Sequence, residues 1–472
     1  MTVAIGVEGS AARLRAALAG VRPGRTVRAV TIDLPADAPD PVTLAARAIR
    51  AGEEVAAWVR PSEGVALAGV GRAWASEPAG PDRFAAAAAA WAAIADDLAP
   101  ALRPAPAGPV LLGGLGFTGE QPAPEDPWAP FRAASLVLPR LLLAMVDGRA
   151  TLTAVLAADA DDAAIAALSR TWDALAAGAA DRSEVAPVAG AAGADRPQAI
   201  STPDRAAWDR LVRLAAGAVG RGRLDKVVLA RRVALELSAA VDHGALLRQL
   251  VASAGDGVAY LFCRAGRTFA GATPERLVRT DGRAFRTVAV AGSARRGTSP
   301  ATDAAAAAAL LGSDKDREEH AIVVASLRSL LAPVATQLTV ADAPVVLSLR
   351  HVQHLATPVE GVLRDRTGTL ALAGLLHPTP AVAGAPRDAA LAFIAEQEGF
   401  DRGWYAGPVG WLAPDGDGEL MVALRGGIVE QERAWLFAGC GIVADSDPER
   451  EWEESRLKLR LMLEALGAGE LP

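Results

Sequence analysis

The period of the apolar positions changes repeatedly along this chain, and the changes mark its elements. Up to about residue 50 the pattern predicts short strands and a helix, with LPADAPDPVT, residues 34–43, as a loose loop. Between Glu54 and Ala75, VAAWVR and GVALAGVGRAWA read as strands around a turn. PDRFAAAAAAWAAIADDLAPAL, residues 81–102, predicts one helix opened by Pro81 and Asp82. GPVLLGGLGFTG is a buried strand, and SLVLPRLLLAMVDGRATLTAVLA a hairpin turning at Asp147-Gly148. DADDAAIAALSRTWDALAAG is a further helix. No catalytic constellation stands out in this half, which reads as scaffold. The low-complexity stretch Asp181–Gln198 reads as an exposed linker. It separates two halves in sequence and does not by itself separate two domains in space.

The second half is denser in signal. STPDRAAWDRLVRLAAGAVGRG predicts a capped helix, and LDKVVLARRVALEL alternates as a strand with Lys226, Val228 and Ala230 on one face. VAYLFCRAG and RTFAGATPERLVRT are strands, the second punctuated by Thr273-Pro274-Glu275. Asp281-Gly282 turns the chain into RAFRTVAVAGSARRG. APVVLSLRHVQHLATPVEGVL is mostly extended, and HPTPAVAGAPRDAALAFIAEQE is a proline-rich loop feeding a helix. A meander follows: GWYAGPVGWLA, a PDGDG turn, ELMVALRGGIVEQ and AWLFAGCGIVADS. Antiparallel strands with interspersed helices predict an α+β fold, with layered antiparallel sheets and surrounding helices.

Two stretches break this pattern with acid. AGCGIVADSDPEREWEESRLKL, residues 438–459, is an apolar run with two glycines that passes into a helix. Ser446 or Asp447 can cap that helix, and Pro448 suits its first turn. Glu451 and Glu454 are three apart and share a face. SDKDREEHAIVVASLRSL, residues 313–330, is a second capped helix with an acidic start, and Asp316, Glu319 and Val323 share its face. First-turn acids complement a helix dipole wherever they occur. Two such helix starts, each beside an apolar run, point to one site seen from two sides. Carboxylates behind a glycine turn suit a hard cation beside a bound anion.

Composition sets the outer limits. At 472 residues and 51% apolar content the chain can build a large core. The net charge of −7, with no basic stripe, argues against nucleic acid as a partner. Cys263 and Cys440 make no disulfide framework or zinc pattern and fit a reducing, cytoplasmic compartment. The N-terminus lacks the basic start and long apolar centre of a signal peptide. The alanine-rich runs are broken by acids, which argues against a membrane span.

Among single residues, Lys226 is the first candidate, because a desolvated lysine can act as a base where arginine cannot. Lowering its pKa from about 10.4 to about 7.5 requires roughly 4 kcal/mol from the surroundings. A surface lysine on a strand would look the same in sequence. Glu275, aimed by Pro274, becomes an acid if its pocket is apolar, and otherwise is a solvated turn residue. Arg425, in VALRGG, can clamp a carboxylate or pair at a sheet edge. His354, in VQHL, is either a ligand-facing group or a packed polar residue.

These stretches together resemble the chorismate-utilising enzymes: isochorismate, salicylate, anthranilate and aminodeoxychorismate synthases. The motifs that carry the resemblance are LDKVVLARR, GATPERLVR, AGSARRG, SDKDREEH, VQHLATPVEG, HPTPAVAGAPR, GWYAGPVGW, VALRGG and GCGIVADSDPEREWEES, in family order from Leu224 to Leu459. The first half matches only loosely, through LLGGLGF and LVLPRLLL. The resemblance implies a single large fold in which residues 1–200 form a variable N-terminal half and 201–465 the chorismate-binding catalytic region. It implies Mg²⁺ held by Glu319 and Glu454, with Asp316 and Glu451 supporting bound waters. Arg425 and Tyr405 would bind the pyruvyl carboxylate, aided by backbone at Gly439 and Gly441. Gly292 and Ser293 of AGSARRG, with His354, complete the expected substrate-binding set.

Within the family, Lys226 occupies the place where water-using members carry their base and ammonia-using anthranilate synthases tend to carry glutamine. Ala291 stands where aminodeoxychorismate synthases carry a nucleophilic lysine. HPTPAVAG is similar to isochorismate synthases rather than to the PAGT-type sequence of anthranilate synthases. The expected reaction is therefore chorismate to isochorismate, for menaquinone or siderophore synthesis. Lys226 would activate water and Glu275 would protonate the departing ring hydroxyl. Salicylate synthase, which goes on to eliminate pyruvate, is the nearest alternative, and anthranilate synthase component I is more distant. A metal-organised scaffold without activity is the alternative of a different class. No glutaminase subunit is expected, and the chain is expected to be a monomer or weak homodimer.

Overall fold

The computed structural model describes residues 9–22, 24–177, 199–469 and 471. The proposed linker at 181–198 lies outside the described residues. Two antiparallel sheets, one of twelve strands and one of ten, organise the described residues. Both mix strands from the two halves of the sequence. In the larger sheet Val258–Arg264 pairs with Val55–Arg60, and in the smaller Pro408–Leu412 pairs with Leu111–Leu115.

Side-chain alternation builds the layers. Trp58 and Tyr260 face a core that holds Leu112, Val278 and Leu420 of the smaller sheet. Their neighbours Val59 and Leu261 face a second core covered by helices, including Leu44, Leu246 and Met462. Among the described residues, no helix is long and apolar enough to cross a membrane.

Several helix boundaries differ from the sequence expectation. The predicted loop at 34–43 contains a helix start. Asp40 accepts from the Thr43 N–H at 3.0 Å and Pro41 opens the helix Pro41–Arg50. The single helix expected over 81–102 is an α-helix, Arg83–Ala92, followed by a 3₁₀ segment, Ala95–Ala101. Asp97 accepts from the backbone N–H groups of Arg25, Thr26 and Val27, and Pro100 has no N–H to continue a ladder. The helix expected over 201–222 runs over Arg205–Gly220, because Ala199–Thr202 pairs as a strand and Asp204 caps. Helices His243–Ser253, Pro300–Gly312 and Thr369–Leu376 fall where the pattern carries no assignment. Pro300–Gly312 is mostly alanine and Thr369–Leu376 is apolar all round, so neither shows a helical stripe.

Two strands change sheets at adjacent points. Arg267–Thr273 lies in the larger sheet, and after Pro274 and Glu275 the chain enters the smaller as Arg276–Asp281. Gly418–Val422 lies in the smaller sheet, and after Arg425 the chain joins the larger as Gly426–Glu430. The crossings are tied together. Thr273 Oγ1 donates to the Val422 carbonyl at 2.6 Å, and the Val422 N–H donates to the Glu275 carbonyl at 2.9 Å. The proline and the glycines that punctuate the sequence here are therefore the places where the fold opens a gap between sheets.

Candidate active site

That gap is a cavity whose wall includes Val228 and Phe437 of the larger sheet and Val290 and Ala291 of the smaller. Among the described residues, all that line it come after position 227.

Glu275 lines the cavity and is buried. Burial pushes its carboxyl up to about 7, against the pull of Lys226, Lys458 and Arg425. A carboxyl in that range can give a proton near neutrality.

Arg425 lies at the other crossing with φ 50, a left-handed conformation rare outside glycine. Two neighbours hold it there. The Tyr260 hydroxyl donates to the Leu424 carbonyl at 3.1 Å, and Arg425 Nη2 meets His354 Nε2 at 2.7 Å. A guanidinium only donates, so Nε2 accepts, and the ring proton sits on Nδ1, which reaches the Gly292 carbonyl at 3.0 Å. Burial and the Arg425 and Lys458 cations hold the His354 pKa well below its usual value, so the ring is neutral. His354 thus aims Arg425 into the cavity that both line.

Tyr405 also lines the cavity. Its ring stacks on Phe437 at 5.3 Å and 20°, and Phe437 packs on Trp128 at 5.3 Å. Burial pushes its hydroxyl up to about 12, so it stays a donor.

Gly292 (φ 75) forms a bulge in the strand Ala284–Arg295. The bulge presents Ser293, whose side chain bonds Glu454 and whose N–H bonds Asp316. Gly439 and Gly441 lie on the strand Arg433–Ile442 beside Lys226–Glu236. A methyl group on Gly441 would stand 2.2 Å from Glu319 Oε1 and 2.7 Å from Lys226 Cε. The glycine is what allows these two groups to meet. Lys226 is buried, and its Nζ lies 2.8 Å from Oε1 of Glu319, which lines the cavity.

The two acidic helices, Asp314–Leu331 and Pro448–Ala465, are capped by Ser313 and Asp447. They bring Glu319 and Glu454 to the cavity, whereas Asp316 and Glu451 line a larger, more open pocket that adjoins it at Ser293 and Glu454. Burial and the neighbouring Glu454 charge raise the Glu451 carboxyl. Against its own desolvation, Lys458 holds Glu454 low. Among the described residues, one group has metal-ligand spacing: Cys440, Glu451 and Glu454, with ligand atoms within 4.8 Å. Burial keeps the Cys440 thiol protonated, and Sγ donates to the Glu451 carbonyl at 3.1 Å. The oxygens of Glu451 and Glu454 remain, a donor set suited to a hard cation. Glu319 uses one oxygen on Lys226 and keeps the other.

One residue the sequence reading passed over belongs here. Lys458 lines the cavity and bonds the Gly439 carbonyl at 2.8 Å and Glu454 Oε1 at 2.6 Å. The chain has three lysines, and the other two, Lys226 and Lys315, pair with Glu319 and Glu451.

Comparison with known proteins identifies the family. A family profile described as chorismate binding enzyme matches residues 16–467. The salicylate biosynthesis isochorismate synthase of Pseudomonas aeruginosa is 40% identical over 391 residues, covering 82% of this chain and 80% of the relative. The isochorismate synthase MenF of Bacillus subtilis is 34% identical over 369 residues, 76% of this chain and 75% of the relative. The structure of MenF, the menaquinone-specific isochorismate synthase from Escherichia coli, superposes with a TM-score of 0.78 at 27% identity, covering 98% of this chain and 99% of that one. On the extent of these matches, this chain belongs to the chorismate-binding enzymes.

Proposed function

We propose that this chain is an isochorismate synthase, converting chorismate to isochorismate, and that residues 201–465 are its catalytic region. The observation that carries the reading is Glu275. It is a buried carboxyl held near 7, in one cavity with an arginine clamp and beside a buried lysine. The isochorismate synthases among its relatives support the same activity.

In this reading Arg425 and the Tyr405 hydroxyl bind the pyruvyl carboxylate, with the backbone of Gly439 and Gly441 beside it. Gly292, Ser293 and His354 shape the remaining wall. Lys226 takes a proton from water, and the water oxygen bonds to a ring carbon. The ring double bonds shift, and the C–O bond of the original hydroxyl breaks as Glu275 gives that oxygen its proton. A second water molecule leaves, and the two side chains exchange protons with solvent to reset. Acid and base steps of this kind contribute about 10²–10⁴-fold each.

We further propose Mg²⁺ as cofactor, held by Glu319 and Glu454 with Glu451 and Asp316 behind. When bound, it supplies a positive charge for the ring carboxylate. Because Lys226 acts on water, no glutaminase subunit is required. The test is incubation with chorismate and Mg²⁺, with and without EDTA, and products resolved by chromatography. Isochorismate lost on chelation supports the reading. Salicylate with pyruvate would assign the neighbouring activity, and no turnover would leave a binding scaffold.

A further inference from the structure

One buried ion pair at the cavity has no part in the mechanism so far. Arg402 lines the cavity and is 3% exposed, as is Glu398. Arg402 makes four hydrogen bonds: Nε and Nη2 to the two oxygens of Glu398, Nη1 to the Val382 carbonyl and Nη2 to the Val228 carbonyl. Glu398 Oε1 also accepts from the Ala230 N–H at 2.8 Å. The guanidinium lies over the Phe117 ring at 4.3 Å.

The place of these bonds is informative. One edge of the strand Lys226–Glu236 pairs with Gly384–Ala385 at Lys226 and Val227, and with Ala199–Thr202 from Arg232 onward. Between the two partners no strand among the described residues covers the edge. There the Val228 carbonyl and the Ala230 N–H are served by Arg402 and Glu398. The pair stands in for a strand two residues from Lys226. Through the Val382 carbonyl the same guanidinium holds the loop whose Ala381 and Val382 line the cavity. Through its own carbonyl, which accepts from the Tyr405 N–H at 2.9 Å, Arg402 fixes the start of the turn that presents Tyr405.

We propose that Arg402, with Glu398, is a positioning residue that sets the strand carrying Lys226 against the cavity loop and Tyr405. This rests on the reading of the chain as an isochorismate synthase. A planar fork with five N–H groups can hold two carbonyls and a carboxylate at once. Lysine keeps the charge and cannot reproduce that fork. A role in attracting the anionic substrate would tolerate lysine, whereas a positioning role would not.

The experiment compares wild type, Arg402→Lys and Glu398→Asp, the last retracting the carboxylate by one methylene. Chorismate binding by calorimetry counts competent sites, and kcat is expressed per competent site, so unfolded protein does not enter. For Arg402→Lys the expected result is a kcat loss on the order of 10²-fold, the cost of a roughly 1 Å misplacement. The dissociation constant should stay within about threefold, because ground-state contacts persist. Glu398→Asp should move kcat in the same direction, and it carries the test alone if Arg402→Lys does not fold. Wild-type kcat per competent site in either folded variant, whatever its melting temperature, overturns the proposal and leaves a structural pair. Weakened binding with kcat kept also overturns it and makes Arg402 a substrate clamp. A wild-type enzyme that forms no isochorismate would refute the functional reading itself, and the proposal with it.

Discussion

Gly441→Ala isolates the contact between Lys226 and Glu319. The strand conformation at Gly441 is one any residue adopts, so the substitution adds a methyl group and no backbone strain. The methyl carbon would stand 2.2 Å from Glu319 Oε1, and an ordinary contact begins at 3.4 Å, so the carboxylate must retreat by about 1.2 Å. Lys226 Cε, at 2.7 Å, must move as well. Both atoms are near the ends of flexible side chains, so the fold should absorb the change at an overpacking cost of about 1–3 kcal/mol. The chemistry should not absorb it, because a misplacement of about 1 Å at a reacting group costs on the order of 10²-fold. Gly439→Ala offers the contrast. Its methyl would meet the Leu229 carbonyl oxygen at 2.8 Å, and backbone cannot yield as a side chain does. The assay is steady-state chorismate turnover beside thermal denaturation. Gly441→Ala should melt close to wild type and turn over about a hundredfold more slowly. Wild-type turnover would refute the view that the Lys226–Glu319 contact stands at the reacting centre.

Three further outcomes follow from the same geometry. Glu275→Gln should lower turnover about 10²–10⁴-fold. In wild type, the activity carried by protonated Glu275 should fall as pH rises through about 7, since its folded pKa is raised. For the same reason, Glu275 favours the folded state below its unfolded pKa, and that contribution is lost as pH rises through about 7, so Glu275→Gln should flatten the stability profile there. Lys226→Arg should be nearly as damaging as Lys226→Ala, because arginine cannot give up a proton at working pH; turnover above about a tenth of wild type would remove Lys226 as the base. Arg425→Ala should raise KM for chorismate and lower kcat, a clamp that both binds and orients; unchanged kinetics would make it a structural arginine.

What the sequence made legible was local. Pro274 before Glu275 and the glycines after Arg425 marked both residues, and capped acidic starts marked the two helices. That the proline and the glycines stand where strands change sheets was not legible, because that depends on pairings across the whole chain. The same distance hid the partners. His354 aims Arg425 across 71 residues, and Glu398 serves Ala230 across 168. Lys458 was hidden for another reason. It sits one turn beyond Glu454 on one helix face, a spacing that also describes ordinary surface ion pairs. Only the cavity distinguishes it from them. The first half reads as scaffold in sequence, and it contributes strands to both sheets, while none of its described residues lines the cavity.

The central claim is that water supplies the hydroxyl of the product while the substrate's own hydroxyl departs. Turnover of chorismate in ¹⁸O-labelled water, followed by mass spectrometry of the isochorismate under initial-rate conditions, tests it most directly. The account predicts one solvent-derived oxygen in every isochorismate molecule formed. Isochorismate that forms at the normal rate and carries no label would mean that the hydroxyl migrates within the substrate, and would contradict the roles given to Lys226 and Glu275.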